Sequence, residues 1–542
     1  MDQTGKRAAW LVLGAAFLLL AALNILFGTH WLDSDMAAEM IFSKLLLDER
    51  EFLATGQWYY STEFRVLYTQ LLMEPLFLLS GSWRVVRVLT NLLTYVLLLG
   101  SFFYLMKPFR IEPKTVVWTS VLLLLPFSET VATHVQMGNT YMPHMILLFF
   151  YFGMFLRLAE RGCVWRPSRE AGRGSVGKRI GLPVCFLLLS VVCGLSGVRY
   201  LLALQAPMLV SAAIDLRKTA EPARLRQAAG ERLSYLVVCL AGLFGALVGY
   251  GLNVTSVTKR YSFQTYETTN FVSVYQGVFL ERVRDTFGSL LMLFGYIPDR
   301  GFLSLRGLVT MAAFGILGVI VFITVRCGRL LGESGEGEPS GAYTHRRFLL
   351  YFFQTSLILH TFVLVFTTGT IVPRYYITVF QFALPLLAVY YQEEKSVLDR
   401  WLALAALCGC MVLATGKTVY SFVTTDKNQE RKEAAAYLTR EGYEFGYATY
   451  WNANILQELT DGKVEVANVS DWGDFGFFYW STPRKYYEAS YHRGKTFLLL
   501  TAEEAERYRE EALVRAGRLV YEDENFQVLH FDSCEEVLGF RK

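Results

Sequence analysis

The feature that most restricts this chain is a repeated one. Apolar residues run for roughly 20 positions at a time, near 8–28, 85–106, 115–134, 140–158, 182–196, 198–214, 234–253, 305–326, 348–367, 372–391 and 399–420. A helix of that length matches the hydrocarbon thickness of a bilayer and satisfies its own backbone groups there. A water-soluble fold is a poor alternative, because 53% of the 542 residues are hydrophobic and only 18% are charged. So little polar side chain cannot cover so much apolar surface. The reading is a mainly α-helical polytopic membrane protein with about 11 spans.

The first run follows Lys6 and Arg7, as a signal peptide would. It extends from Ala8 to Phe27, and His30–Trp31 stands where small residues would mark a cleavage site, so it reads as a retained span. Basic residues then set the orientation. If all eleven runs cross, Lys6/Arg7, Lys107–Lys114, Arg157–Arg179, Arg217–Arg232, Arg326–Arg347 and Lys395/Arg400 share one side. The loops 133–141, 195–198 and 368–372 carry no Lys or Arg. The positive-inside rule puts the N-terminus in the cytoplasm and places the loops 29–84 and 254–304 outside. The short fifth and sixth runs meet at Gly194, Ser196 and Gly197, which suggests a tight hairpin that barely crosses.

Two domains follow: residues 1–420 in the membrane with their outer loops, and 421–542 as an extracytoplasmic α/β domain. In the latter, strand-like EFGYATYW, KVEVANV, KTFLLLT and FQVLHF alternate with helix-like NANILQEL and AEEAERYREEALVRAG. RPSREAGRGSVGKR (166–179) and GESGEGEPSG (332–341) read as flexible cytoplasmic loops. A net charge of +4 is too small to suggest a nucleic-acid partner. Of the 8 cysteines only Cys534 falls outside, which leaves no external disulfide pair, and no zinc spacing occurs.

The chemistry concentrates just past the first span, in THWLDSDMAAEM. Asp33 and Asp35 open a helical pattern with Ala37, Ile41, Leu45 and Phe52 on one face and Gly56 as its stop, an amphipathic helix lying on the outer membrane surface. Two readings of the acids stay open. An Asp at a helix start caps free N–H groups and suits the dipole. Alternatively Asp33 and Asp35, with Glu39 one turn on, converge to hold Mg²⁺ or Mn²⁺ or to take a proton from an acceptor hydroxyl. Glu129, in LPFSETVATHVQMGNTYMPH, sits near the outer end of the third run, where an acid either completes a site or hydrogen-bonds at the interface. His134 and His144 nearby read as structural. Arg199, Lys259–Arg260 and Arg374 are outer basic positions suited to a phosphate or to interfacial anchoring, and the planar arginine fork favours Arg199 and Arg374. YATYWNAN (447–454) and DWGDFGFFYW (471–480) carry the aromatics and small polar residues that suit either sugar or lipid contact.

An acidic pair in the first outer loop, many spans and a C-terminal outer domain together resemble the GT-C superfamily of polytopic glycosyltransferases, above all its protein O-mannosyltransferase and aminoarabinose transferase branch. The resemblance covers the whole layout, and Trp31 to about Asn91 is its motif-like part. It implies transfer of a sugar from a polyprenyl-phosphate donor to a glycan, lipid or protein acceptor at the outer face of the cell membrane. It implies that Asp33 matches the family's leading acid and Asp35 its neighbour. EFRVLYTQ (63–70) stands where many relatives carry Lys-Pro-Pro; Arg65 would replace the lysine that meets the donor phosphate, and both prolines are absent. The competing class is a transporter or flippase of a lipid-linked glycan precursor, which calls for midplane acids and an internal repeat. The sequence shows neither.

Overall fold

The computed structural model describes residues 3–138, 140–161, 176–217, 225–264, 269–298, 304–333, 340–471 and 475–540. The loop sequences at 166–175 and 334–339, and residues 472–474 of the second aromatic stretch, lie outside that range. Every one of the apolar runs is helical in whole or in large part. Among the described residues, seven helices are long and apolar enough to cross a membrane, or up to eight if one bent pair counts as a single span. The remaining runs are short or broken. The 180–195 helix is a shorter apolar one. The run at 198–214 is interrupted by a π-helical turn, Leu201–Gln205, and the run at 372–391 is divided into Pro373–Tyr376, Ile377–Phe380 and Ala383–Glu393.

The bent pair, Pro113–Leu124 and Glu129–Met137, turns by 90°. Pro126 sits in the break, and Ser128 restarts the helix by accepting the Val131 N–H at 3.1 Å. The second limb is largely π-helical, Ala132–Met137. Such backbone within an apolar bundle needs other partners. Asn91 donates to the Met137 carbonyl at 2.7 Å and to Asn24 Oδ1 at 2.5 Å, and Asn24 donates to Tyr95 Oη at 2.8 Å. Tyr95 in turn donates to the Gln136 carbonyl. Helices Val176–Leu195 and Leu225–Leu252 approach so closely that only glycine fits at the contact. A Cβ on Gly194 would lie 1.9 Å from the Ala246 carbonyl oxygen, and one on Gly249 2.0 Å from that of Val191.

The Ser34–Glu49 helix corrects two expectations. Its stop is Arg50, in the left-handed conformation at φ 58°, whose N–H bonds back to Leu46 and Leu47, and not Gly56. Nor is the helix a free amphipathic one. Met36, Ala38, Glu39, Met40, Ser43 and Leu46 are buried together with Ala37, Ile41 and Leu45, while Phe52, expected on the same face, lies past the helix end and is exposed. Its outer side is covered by the Tyr450–Leu459 helix and its other side by Gln70–Phe77. Burial of nearly its whole circumference explains why periodicity alone misread it.

The C-terminal region follows the last long apolar helix, Val397–Thr424. Its five-stranded sheet runs in the order Glu465–Val469, Phe445–Thr449, Thr496–Thr501, Phe526–Phe531, Arg518–Glu522. The first three strands are parallel and the last two are added antiparallel. A second small sheet joins three distant segments: Trp58–Tyr60 pairs with Ser262–Phe263 and with Thr482–Pro483. The segments expected to share the outer side therefore do share one face of the molecule.

The strongest tie across that junction is buried. Arg87, in the Trp83–Met106 helix, donates through Nε and Nη2 to the Glu458 carboxylate, the latter bond measuring 2.6 Å, and through Nη2 to the Met36 carbonyl at 2.9 Å. Removing one partner strands a desolvated charge. Arg87→Leu should cost about 3–5 kcal/mol, read as a lowered thermal midpoint in detergent. Arg87→Leu with Glu458→Leu should recover most of that loss, because neither charge is then left alone.

Candidate functional site

The site is built on the first two turns of the Ser34–Glu49 helix. Asp33 precedes it in extended conformation and accepts the Met36 N–H at 3.0 Å. The capping geometry is thus present. It uses one of the two oxygens of Asp33, and the side chain is only half-buried. The segment before it is clamped by the far end of the bundle. Trp31 Nε1 donates to the Thr425 carbonyl at 3.0 Å, and Asn428 Nδ2 donates to the Leu32 carbonyl at 2.8 Å.

Two carboxylates one turn apart each meet an arginine. Asp35 faces Arg374 at 3.4 Å and also accepts the Tyr450 hydroxyl at 2.7 Å. Glu39 faces Arg65 at 3.2 Å and accepts the Thr69 hydroxyl at 2.8 Å. A third pair lies beside them: Arg199 Nε donates to Glu63 at 2.5 Å, and its Nη1 reaches Tyr141 Oη at 3.4 Å. Arg65 also lies over the Tyr68 ring, 4.7 Å from its centroid. One oxygen of Glu63 and Nε of Arg65 are shielded from water without a hydrogen-bond partner. Buried polar atoms seldom stay unpaired, so this is open capacity that a bound molecule can use.

Burial sets the charge state. Loss of hydration, reinforced by the neighbouring Asp35 charge, pushes the Asp33 carboxyl up to about 7, against the pull of the Met36 N–H, Arg374 and Arg87. Burial likewise pushes Glu39 up to about 7, against Arg65, Tyr68 and Thr69. A carboxyl that exchanges its proton near neutrality suits general-base work.

Starting one helical turn beyond Arg374 lies an apolar cavity of about 100 Å³. Val131, Val135, Ile377, Leu384 and Met411 are among its walls, and Gln381 is its one polar lining residue among those described. The Gln381 amide is buried without a hydrogen-bond partner.

The sequence-expected residues thus divide. Asp35 and Arg374 pair directly, Asp33 lies within reach of the charges of both, and Arg65 and Arg199 form the adjoining pairs. Glu129 is held elsewhere, by Lys417 at 3.2 Å and Lys427 at 3.3 Å. It joins the site only at one remove, since the Lys427 ammonium lies 3.6 Å from the centroid of the Trp31 ring. Arg260 is exposed, 5.5 Å from the Tyr261 ring centroid, and Tyr261 stacks on Phe64. It stands at the rim behind the Glu63–Arg65 loop. His134 contacts Thr140 and Tyr141, and His144 bonds Tyr200 at 2.5 Å, both consistent with structural roles. Among the described residues no group of three or more His, Cys, Asp or Glu is arranged to hold a metal ion. Asp33 and Asp35 could supply only a partial ligand set, and Arg374 already faces Asp35. The sequence reading did not single out Glu63, Lys417 or the hydroxyl of Tyr450. A lone lysine inside an apolar run was the available signal for Lys417.

No protein-family model matches the chain, and no curated protein matches it in sequence. Solved structures do resemble it. The oligosaccharyltransferase of Archaeoglobus fulgidus in its apo form aligns with a TM-score of 0.49 and 12% identity over 93% of this chain and 70% of that one. The AglB enzyme of the same organism, in complex with an inhibitory peptide and a dolichol-phosphate, gives 0.48 and 12% over 92% and 70%. ArnT from Cupriavidus metallidurans bound to undecaprenyl phosphate gives 0.42 and 14% over 96% and 97%.

The raised ionisation of Asp33 makes a signed prediction. Below about pH 4 its carboxyl is protonated in folded and unfolded chains alike. Between about 4 and 7 the unfolded chain releases the proton that the folded chain retains, so this group costs stability as pH rises, and above about 7 the loss is complete. Asp33→Asn escapes it. The thermal midpoint of Asp33→Asn minus that of the unaltered chain should therefore climb from pH 4 to 7 and then level. A difference that stays flat across this range contradicts the assignment.

Proposed function

We propose that this chain is a membrane glycosyltransferase that moves a sugar from a polyprenyl-phosphate donor to an acceptor hydroxyl at the outer membrane face. The observation that carries the reading is the Asp35–Arg374 pair beside Asp33, one helical turn from an apolar cavity. The donor has two parts of opposite character, a phosphate and a long hydrocarbon chain. Arg374 suits the first, and the cavity that begins at Ile377 suits the start of the second.

The reaction asks three things of the residues. Asp33 takes the proton from the acceptor hydroxyl. The acceptor oxygen then forms its bond to the anomeric carbon from the face opposite the phosphate, with inversion. The bond from that carbon to the phosphate oxygen breaks, and the released polyprenyl phosphate keeps the electron pair. Its added negative charge is met by Arg374, with Arg65 and Arg199 flanking. Arginines stay charged through the cycle and present a fork that fits phosphate oxygens. We assign charge balance to them, and keep a divalent ion on Asp33 and Asp35 as the alternative that the experiment distinguishes. Unpaired atoms of Glu63 and Arg65 supply contacts for sugar hydroxyls.

The test is incubation of the purified chain in lipid nanodiscs with a panel of labelled polyprenyl-phosphate sugars and envelope acceptors. Asparagine caps a helix about as well as aspartate. Asp33→Asn should therefore fold and insert normally but lose about 10²- to 10⁴-fold in turnover. Asp35→Asn should lose less, with chelator without effect. Equal losses together with restoration by Mn²⁺ would favour the metal. Near-normal turnover by Asp33→Asn would reduce that residue to a cap and end the proposal for this site.

A further inference from the structure

The C-terminal region contributes a side chain to this site. The Tyr450–Leu459 helix lies across the start of the Ser34–Glu49 helix, and three of its positions, four residues apart, fall on one face. Tyr450 donates its hydroxyl to Asp35 Oδ1 at 2.7 Å. Asn454 donates to Ser34 Oγ at 2.9 Å, while the Ser34 hydroxyl donates to the Tyr450 carbonyl. Glu458 holds Arg87, which in turn binds the Met36 carbonyl. Residues 34 and 35 are thus gripped directly from the other region, and residue 36 through Arg87.

Asn454 and Glu458 make contacts that suffice to anchor one region on the other. The Tyr450 bond differs, because its acceptor is one of the two acids of the site. The Tyr450 ring is buried, with Trp451 at 5.1 Å and Phe478 at 5.9 Å between ring centroids, so the hydroxyl has little freedom to leave. We propose that Tyr450 is a positioning residue: its O–H holds one oxygen of Asp35, leaves the other to Arg374, and so fixes where Asp35 stands relative to Asp33. The division of labour within the pair then follows. A hydrogen bond to a carboxylate favours its ionised form. Burial and the Asp35 charge keep the Tyr450 hydroxyl protonated, hence always a donor. The proton exchanged near neutrality is that of Asp33. The other charged or titratable groups around the pair are Arg374, Arg87, Arg65 and His134.

This inference rests on the reading of the site as a transfer centre, and its test has a readout that does not. Tyr450→Phe removes one oxygen and keeps the ring packing. In the transfer assay kcat should fall about ten- to a hundredfold, the weight of a charge-assisted hydrogen bond, with KM for the donor changed less. The midpoint of the acidic limb of the pH–rate profile should move to higher pH, because the ionised pair has lost a donor. The second readout is the infrared carboxyl band of the protonated acids, assigned by its loss in Asp33→Asn and followed with pH in donor-free nanodiscs. That midpoint should move upward in Tyr450→Phe as well. If the unaltered chain transfers no sugar from any donor, the functional reading fails while the infrared titration still decides the role of Tyr450. A Tyr450→Phe protein of unchanged thermal midpoint, with kcat and both pH midpoints also unchanged, overturns the proposal. Loss of thermal stability with unmoved pH midpoints overturns it too, since Tyr450 would then be an anchor alone.

Discussion

The hydrogen bonds and charges that converge on residues 33–36 tie the apolar bundle to the C-terminal region. A helix start is the one place on a helix with unsatisfied N–H groups. Here Asp33 answers one of them, and Ser34, Asp35 and Met36 are bound by Tyr450, Asn454 and Arg87. Asn428 and Thr425 hold the residues just before it. Three parts of the chain, one 51 residues and one about 400 residues away in sequence, therefore meet at a single helical turn. Shifting that turn would break the buried Arg87–Glu458 pair, which low surroundings make costly to strand. The position of the two acids is thus overdetermined.

The electrostatics follow from where the turn lies. It stands at the end of an apolar bundle, between the bundle and a folded cover, where water is scarce. Isolated charges are expensive there. The structure meets this by alternation: Asp35 with Arg374, Glu39 with Arg65, Glu63 with Arg199. Asp33 is the exception, lacking a guanidinium of its own in contact. Burial and the Asp35 charge push its carboxyl up to about 7. The same scarcity of water that raises it strengthens any arginine contact with a phosphate. In the proposed reaction such surroundings would serve both a base and an anion cradle, the two things that a phosphate-leaving transfer to a hydroxyl requires.

Much of this was legible in the sequence, for a physical reason. Burial in lipid demands apolar runs of fixed length, so the helices of the bundle are written plainly in the chain. The acids just past the first apolar run stood out because they cluster at the start of a helical pattern. What was hidden is pairing at long range. Nothing local links Glu63 with Arg199, Asp35 with Tyr450, or Arg87 with Glu458. Lys417 was overlooked inside an apolar run, although it reaches Glu129. The Ser34–Glu49 helix was read as lying on lipid because an apolar stripe cannot reveal that its other side is covered by protein. Its end at Arg50 was obscured because a positive φ is usually given to glycine, and Gly56 stood nearby. Three apolar runs that looked continuous are bent or broken, at Pro126, at Leu201–Gln205 and at Gln381–Phe382. Hydropathy records composition and not the path of the backbone.

The most direct test of this account is a cryo-electron-microscopy structure of the chain in nanodiscs with a polyprenyl phosphate. The account predicts phosphate density within hydrogen-bonding distance of Arg374, close to Asp33, with the first units of the hydrocarbon chain entering the cavity lined by Ile377 and Leu384. Phosphate density at Arg260 or at the opposite end of the bundle, with Arg374 still paired to Asp35 and the cavity empty, would contradict it.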